Sequence, residues 1–120
     1  MRVAEAYLNY AEADARLNGG FVTNDGKKKL DDLRARSSAS AKSEYSLDDI
    51  CDEWSREFYF EGLRRPTLIR FGKFGGNNDY SWQWKGDKFE GQNFSADKNV
   101  FAIPVNELNA NANLKQNPGY

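Results

Sequence analysis

The chain has 120 residues, a net charge of −1 from 17 Lys plus Arg and 18 Asp plus Glu, no histidine and one cysteine. That length suits one small domain. The interspersed, near-neutral charge gives no electrostatic footprint for nucleic acid and no polybasic patch for a membrane surface, and without histidine the Ser/His/Asp and Cys/His triads and the commonest metal ligand are excluded.

Aromatic residues are 14% of a chain whose mean hydropathy is only −0.84, so rings must supply much of the core or of a binding surface. No run of about 18 apolar residues is present to cross a membrane. The opening MRVAEAYLNYAEA has no apolar signal region and starts inside a helical pattern, as an excised part of a longer protein would.

Val3, Ala4, Tyr7, Leu8, Ala11 and Ala15 form one apolar face and predict a helix over 2–18, closed by Gly19-Gly20. Its alanines let a second helix approach closely. That second helix is expected over 26–36, after a cap at Asn24 or Asp25, with Leu30 and Leu33 facing inward and Lys27, Lys28 and Lys29 facing water. SSASAKSEY, 37–45, is small and polar and reads as a loop.

The clearest helix is expected over 46–61. Ser46 and Asp49 have capping-box spacing, Leu47, Ile50, Cys51, Trp54 and Phe58 form an apolar stripe, and Gly62 sits where a left-handed cap belongs. Cys51 lies on that stripe with no obvious basic neighbour, so a buried thiol is favoured over a reactive one. Pro66 opens a further short turn over 66–71. Residues 72–120 are expected to be an irregular wrap, with one turn near Asn106 in ELNAN and a strand-like alternation of Tyr80, Trp82 and Trp84.

Four motifs then carry a resemblance: RVAEAYLNYAEA at Arg2–Ala13, KLDDLRAR at Lys29–Arg36, EFYFEGLRR at Glu57–Arg65 and FAIPVNELNANANLKQNPGY at Phe101–Tyr120. Their order and spacing make the whole chain similar to the C-terminal part of SusD/RagB-family outer-membrane glycan-binding lipoproteins. Two departures stand out. Pro66-Thr67 occupies the place of the family's Asp after the Arg pair, and the Asn-Pro before the last Leu is replaced by Asn111-Ala112 or Asn113-Leu114. The resemblance implies a mainly α single C-terminal domain: a tetratricopeptide-like helix pair, a third helix and a long irregular wrap. It also implies binding of an oligosaccharide or polysaccharide, a SusC-like TonB-dependent transporter as partner, an outer-membrane surface location through a lipid anchor outside this chain, no enzymatic activity and no cofactor. The alternative is a helical-repeat adaptor for a peptide or protein.

Glu57 and Glu61 lie one turn apart, the spacing of paired carboxylates in glycoside hydrolysis. Adjacent arginines favour the ionised form and oppose a general acid. An ion-pair network of Arg34, Arg36, Glu57, Glu61, Arg64 and Arg65 is therefore the simpler reading, in which losing Glu61 costs on the order of 3 kcal/mol by leaving buried arginines unpaired.

Tyr80, Trp82 and Trp84 are the ligand candidates. An exposed ring offers an apolar platform to the C–H face of a sugar, and Asn77, Asn78, Asp79 and Gln83 offer partners for hydroxyls. The competing reading buries these rings in a core. Gly72, Gly75 and Gly76 lack the Lys-Ser/Thr of a phosphate loop, and Asn77, Asn78 and Asp79 lack calcium-loop spacing.

Overall fold

The computed structural model describes residues 2–76 and 79–120. Its helices are α1 (Val3–Leu17), α2 (Asn24–Arg36), α3 (Leu47–Glu57), α4 (Arg64–Arg70) and α5 (Val105–Ala110). There is no strand among the described residues, and the fold is mainly α. The chain forms two compact units, Met1–Arg64 and Arg65–Tyr120.

In the first unit, α1 packs on α2 and α3. It buries Ala4, Leu8, Ala11 and Ala15, the small-residue face expected from the spacing. Its C-terminus is closed by a Schellman arrangement: Gly19 has φ 69°, and the Gly20 N–H donates to Ala15 O at 2.8 Å. Asp14, near the end of α1, accepts from the Thr23 N–H at 2.7 Å and from its hydroxyl. This supplies α2 with a cap from a neighbouring helix, so α2 begins at Asn24 rather than at the expected 26. At the other end, Arg2 and Arg36 both reach Glu57. The start of α1 thus meets the end of α2, which makes the pair antiparallel.

The connector before α2 is joined to the connector before α3. Phe21 forms an isolated antiparallel bridge with Ser46, and the Leu47 N–H donates to Gly20 O at 2.9 Å. Helix α3 has a complete capping box: the Asp49 N–H donates to Ser46 Oγ at 3.2 Å, and the Ser46 N–H donates to Asp49 Oδ2 at 2.9 Å. Ile50, Cys51, Trp54 and Phe58 are buried, with the Trp54 and Phe58 rings stacked at 5.1 Å.

Helix α3 ends at Glu57, four residues short of the expected 61. In a longer helix Glu57 O would take the Glu61 N–H. Here that N–H donates to Phe58 O at 3.0 Å, and Arg2 Nη2 donates to Glu57 O at 2.8 Å. The chain turns immediately, with Phe60 at φ 62°. Helix α4 starts at Arg64, two residues before the expected 66. Pro66 is its third residue, still within the first turn, where the missing N–H has no intrahelical partner to lose.

The second unit is mostly irregular, and its buried apolar side chain among the described residues is Leu68. Polar and cation–ring contacts do the holding. The Arg65 guanidinium lies 3.8 Å from the Phe101 centroid and 4.9 Å from that of Phe74, and donates to Lys98 O at 2.7 Å. The final QNPGY is fixed by side chains that act as backbone partners. Gln116 accepts from the Ile103 N–H at 2.8 Å and donates to Ile103 O at 2.9 Å. Asn117 donates to Phe101 O and the Tyr120 hydroxyl to Val100 O. Between these two runs lies α5, at the turn expected from ELNAN.

Candidate functional site

Two constellations stand out. The first is the ion-pair network of the first unit, centred on Glu57, whose side chain is only 6% exposed. It takes Arg2 Nη1 at 2.7 Å and Arg36 Nη2. Arg2 also donates to Glu61 Oε1 at 2.6 Å and lies 4.4 Å from the Phe58 centroid. Hydrogen bonding to Glu57, then to Glu61, pushes the Arg2 guanidinium further above its ordinary range. Arg34 pairs with Glu53 at 2.9 Å, and Arg56 shares the same carboxylate at 3.0 Å.

Arg64 and Arg65 lie elsewhere than the sequence reading placed them. Arg64 Nη1 donates to Cys51 O at 3.3 Å and lies 3.9 Å from its Sγ, so Cys51 has a basic neighbour that the helix stripe did not reveal, although the thiol is buried. Arg65 belongs to the second unit and to the Phe101 and Lys98 contacts above. Arg2 and Glu53 were not read from sequence as members. The available signal was Arg2 directly ahead of a helix start, and Glu53 one turn before Glu57 on the same helix.

Glu61 is a rim member, with its side chain 47% exposed and that of Arg2 40% exposed. Screening leaves such an exposed pair worth little, well under the cost expected from sequence. A cleft beside the network is lined by Arg34, Lys42, Glu53, Arg56 and Glu57. Its cations already pair with Glu53 and Asp49 and its carboxylates with arginines, so this cleft works as a tie between helices.

Two further ionised groups steady the same unit. Burial pushes the Asp31 carboxyl up, but hydrogen bonds from Lys27 and from the Tyr45 hydroxyl outweigh it and the net shift is down. At Asp49 burial is likewise outweighed, by hydrogen bonds from Lys42 and Ser46. Tyr45 is fully buried, and burial with its bond to Asp31 raises its hydroxyl.

The second constellation is an aromatic face in the second unit. Trp84 is 64% exposed, Phe89 53% and Trp82 39%, while Tyr80 is half-buried. Trp84 meets Phe89 edge-on at 5.6 Å, and Tyr80 lies 6.0 Å from Trp82. The strand-like alternation does not form a strand. Trp84, Gly86 and Asp87 all have φ near +65°, which curls 84–87 into a tight turn. Local bonds close this loop: the Trp84 N–H donates to Phe89 O and the Gln92 N–H to Lys85 O.

The rings that sequence alternation placed on one side of a strand are therefore presented by a loop. Asp79 and Gln83 are exposed beside them, and Asn77 and Asn78 lie outside the described residues. Phe89 and Lys85 were not read from sequence. A lone phenylalanine and a lone lysine in a Gly-rich stretch carry no periodic signal that could have found them.

The geometry defines an α-helical scaffold followed by a loop-built unit with exposed rings. The chain belongs to the SusD family, which it matches over residues 1–120. The starch-binding protein SusD of Bacteroides thetaiotaomicron is 43% identical over 120 residues, which is 99% of this chain and 21% of that protein. The surface glycan-binding protein A from Bacteroides uniformis superposes with a TM-score of 0.73 at 27% identity, over 97% of this chain and 26% of that one. A SusD superfamily protein from Parabacteroides distasonis gives a TM-score of 0.73 at 19% identity, over 98% of this chain and 26% of that one, and shows the shared fold. The chain thus spans about a fifth of the length of its starch-binding relative.

Proposed function

We propose that this chain serves glycan capture at the outer surface of a cell, as a binding unit without catalytic chemistry. In this reading the first unit is scaffold, and Tyr80, Trp82 and Trp84 contact an oligosaccharide or polysaccharide. The protein of which it forms part works at the outer membrane with a SusC-like TonB-dependent transporter, which takes up what is captured. The observation that carries this reading is the 43% identity to a starch-binding protein across nearly the whole chain. The exposed rings of Trp82 and Trp84 support it, because each presents a flat apolar surface that suits the C–H face of a pyranose. Glu57 and Glu61 are tied to arginines of the helix scaffold, which supports binding over hydrolysis.

The test is affinity electrophoresis of the 120-residue chain through native gels cast with soluble starch, dextran, levan or mannan. Retardation by at least one polysaccharide, lost in Trp84→Ala, is the expected result. Migration unchanged in every gel would assign the chain to scaffold alone.

A further inference from the structure

The loop bearing the aromatic face has no apolar interior. Between Tyr80 and Phe94 the buried residue is Lys85, at 1% exposure. Its ammonium donates to Tyr80 O at 2.6 Å and to Asn93 Oδ1 at 2.9 Å, so it ties together the two ends of the loop. It also lies 4.8 Å from the Trp82 centroid and 5.4 Å from that of Phe94. The backbone wraps tightly around this side chain. The Lys85 N–H donates to Trp82 O at 3.1 Å, and the Gln92 N–H returns to Lys85 O at 2.6 Å. A Cβ on Gly86 would stand 2.6 Å from Gln92 O, and one on Gly91 would collide with Trp82 O, so the strands of the loop touch where these glycines sit.

A desolvated ammonium is costly unless its protons are satisfied, and it is stronger as an organiser once they are. Burial pulls the Lys85 ammonium down from its ordinary lysine range. A lysine placed only for solubility would instead extend its head group into water. We propose that Lys85 is the positioning residue of the aromatic face: its buried ammonium holds the 80–93 loop in the conformation that presents Trp82 and Trp84 to a glycan, without touching the glycan itself. This rests on the reading of that face as a glycan site. Trp82 is steered directly, through its ring contact with the ammonium. Trp84 is steered through the backbone, since it is the residue that precedes Lys85 and its left-handed conformation depends on the closed loop.

The test compares Lys85→Met, which keeps length but removes charge, with Lys85→Arg, which keeps charge. Binding to the polysaccharide that retards the parent, soluble starch first, is read together with the indole N–H signals of uniformly 15N-labelled protein. Trp54, buried in the other unit, is the internal control. In Lys85→Met the Trp82 and Trp84 indole signals are expected to shift or broaden, the Trp54 signal to stay, and affinity to fall at least tenfold, with Lys85→Arg recovering part of it. A Lys85→Met variant that binds as tightly as the parent, with unmoved Trp82 and Trp84 signals, overturns the proposal. A parent that no polysaccharide retards overturns the glycan reading and the ligand half of this inference with it. In that case the indole signals still decide whether Lys85 orders the rings.

Discussion

The two units are stabilised by different forces. All the buried apolar side chains of the described residues except Leu68 lie in the first unit, where three helices close around Leu8, Leu30, Ile50 and Trp54. The second unit relies on guanidinium–ring contacts, a buried ammonium and amide side chains bonded to backbone. The difference has a functional consequence. A unit that does not spend its large rings on a core can leave Trp82, Trp84 and Phe89 at the surface.

The comparison is sharpened most by core truncation. Leu8 is fully buried between helices, so Leu8→Ala is expected to cost about 3 kcal/mol through lost transfer energy and the cavity left behind. Chemical denaturation checks this, and a loss below about 1 kcal/mol would show that α1 contributes little to the core. Next comes the network. Removing the Glu57 carboxylate breaks two charged hydrogen bonds at once, but the side chains of Arg2 and Arg36 are 40% and 58% exposed and water can take them up, so Glu57→Ala should cost more stability than Glu61→Ala at the rim and less than Leu8→Ala. Equal losses for the two variants would sink the distinction between hub and rim.

In the second unit the corresponding change is Phe101→Leu, which keeps apolar volume but removes the ring under Arg65. The expected loss is about 1 kcal/mol, the scale of a partly exposed cation–ring contact. Amide exchange at Ile103, which is tied to Gln116, should quicken, and an unchanged rate would mean that the tail does not depend on this contact. Response to pH separates the units more gently. Asp31 and Asp49 are held below their ordinary value of 3.8, so the stability they contribute is present above that range and is lost as pH falls through their depressed values. Tyr45 is raised above 10.0, so its contribution is present below that and is lost as pH rises through the raised value. Thermal melts followed by helix signal should therefore fall off at both extremes. Asp49→Asn should flatten the acid limb, and a limb that stays as steep would remove Asp49 from the account.

The first unit was legible in the sequence because its rules are local and periodic. Ala4, Leu8, Ala11 and Ala15 recur at helix spacing, and Ser46 and Asp49 stand three apart as a capping box requires. What sequence missed there was set by contacts distant along the chain. Arg2 donates to Glu57 O at the end of α3 from 55 residues away, and Asp14 lends α2 a cap that lets it start early. In the second unit the irregular wrap is as expected, but the alternation inside it does not mark a strand. The alternation of Tyr80, Trp82 and Trp84 matches a strand, but the left-handed turn at 84–87 and the buried Lys85 make it a loop. Lysine is so seldom buried that no pattern argument would place one at the centre of a fold. The QNPGY tail was recognisable as a motif, yet its logic appears only when Gln116, Asn117 and Tyr120 are seen bonded to the backbone of 100–103.

The smallest expected change in stability belongs to the residue with the largest expected effect on binding. Trp84 has φ 66°, a conformation that costs a residue with a Cβ about 1 kcal/mol and costs glycine little. Its ring meets Phe89 edge-on, a contact worth about 0.5–1.5 kcal/mol, and is otherwise mostly in water. In Trp84→Gly the relief of strain and the loss of that contact offset one another, so the unfolding free energy should stay within about 1 kcal/mol of the parent. Retardation by polysaccharide should disappear. A residue in a strained conformation with its ring exposed contributes little to folding, as the proposed ligand contact requires. A variant that melts far below the parent would instead make Trp84 a structural ring. The first unit has no counterpart to this trade, since Trp54 is buried and stacked on Phe58 and its removal would be felt in stability first.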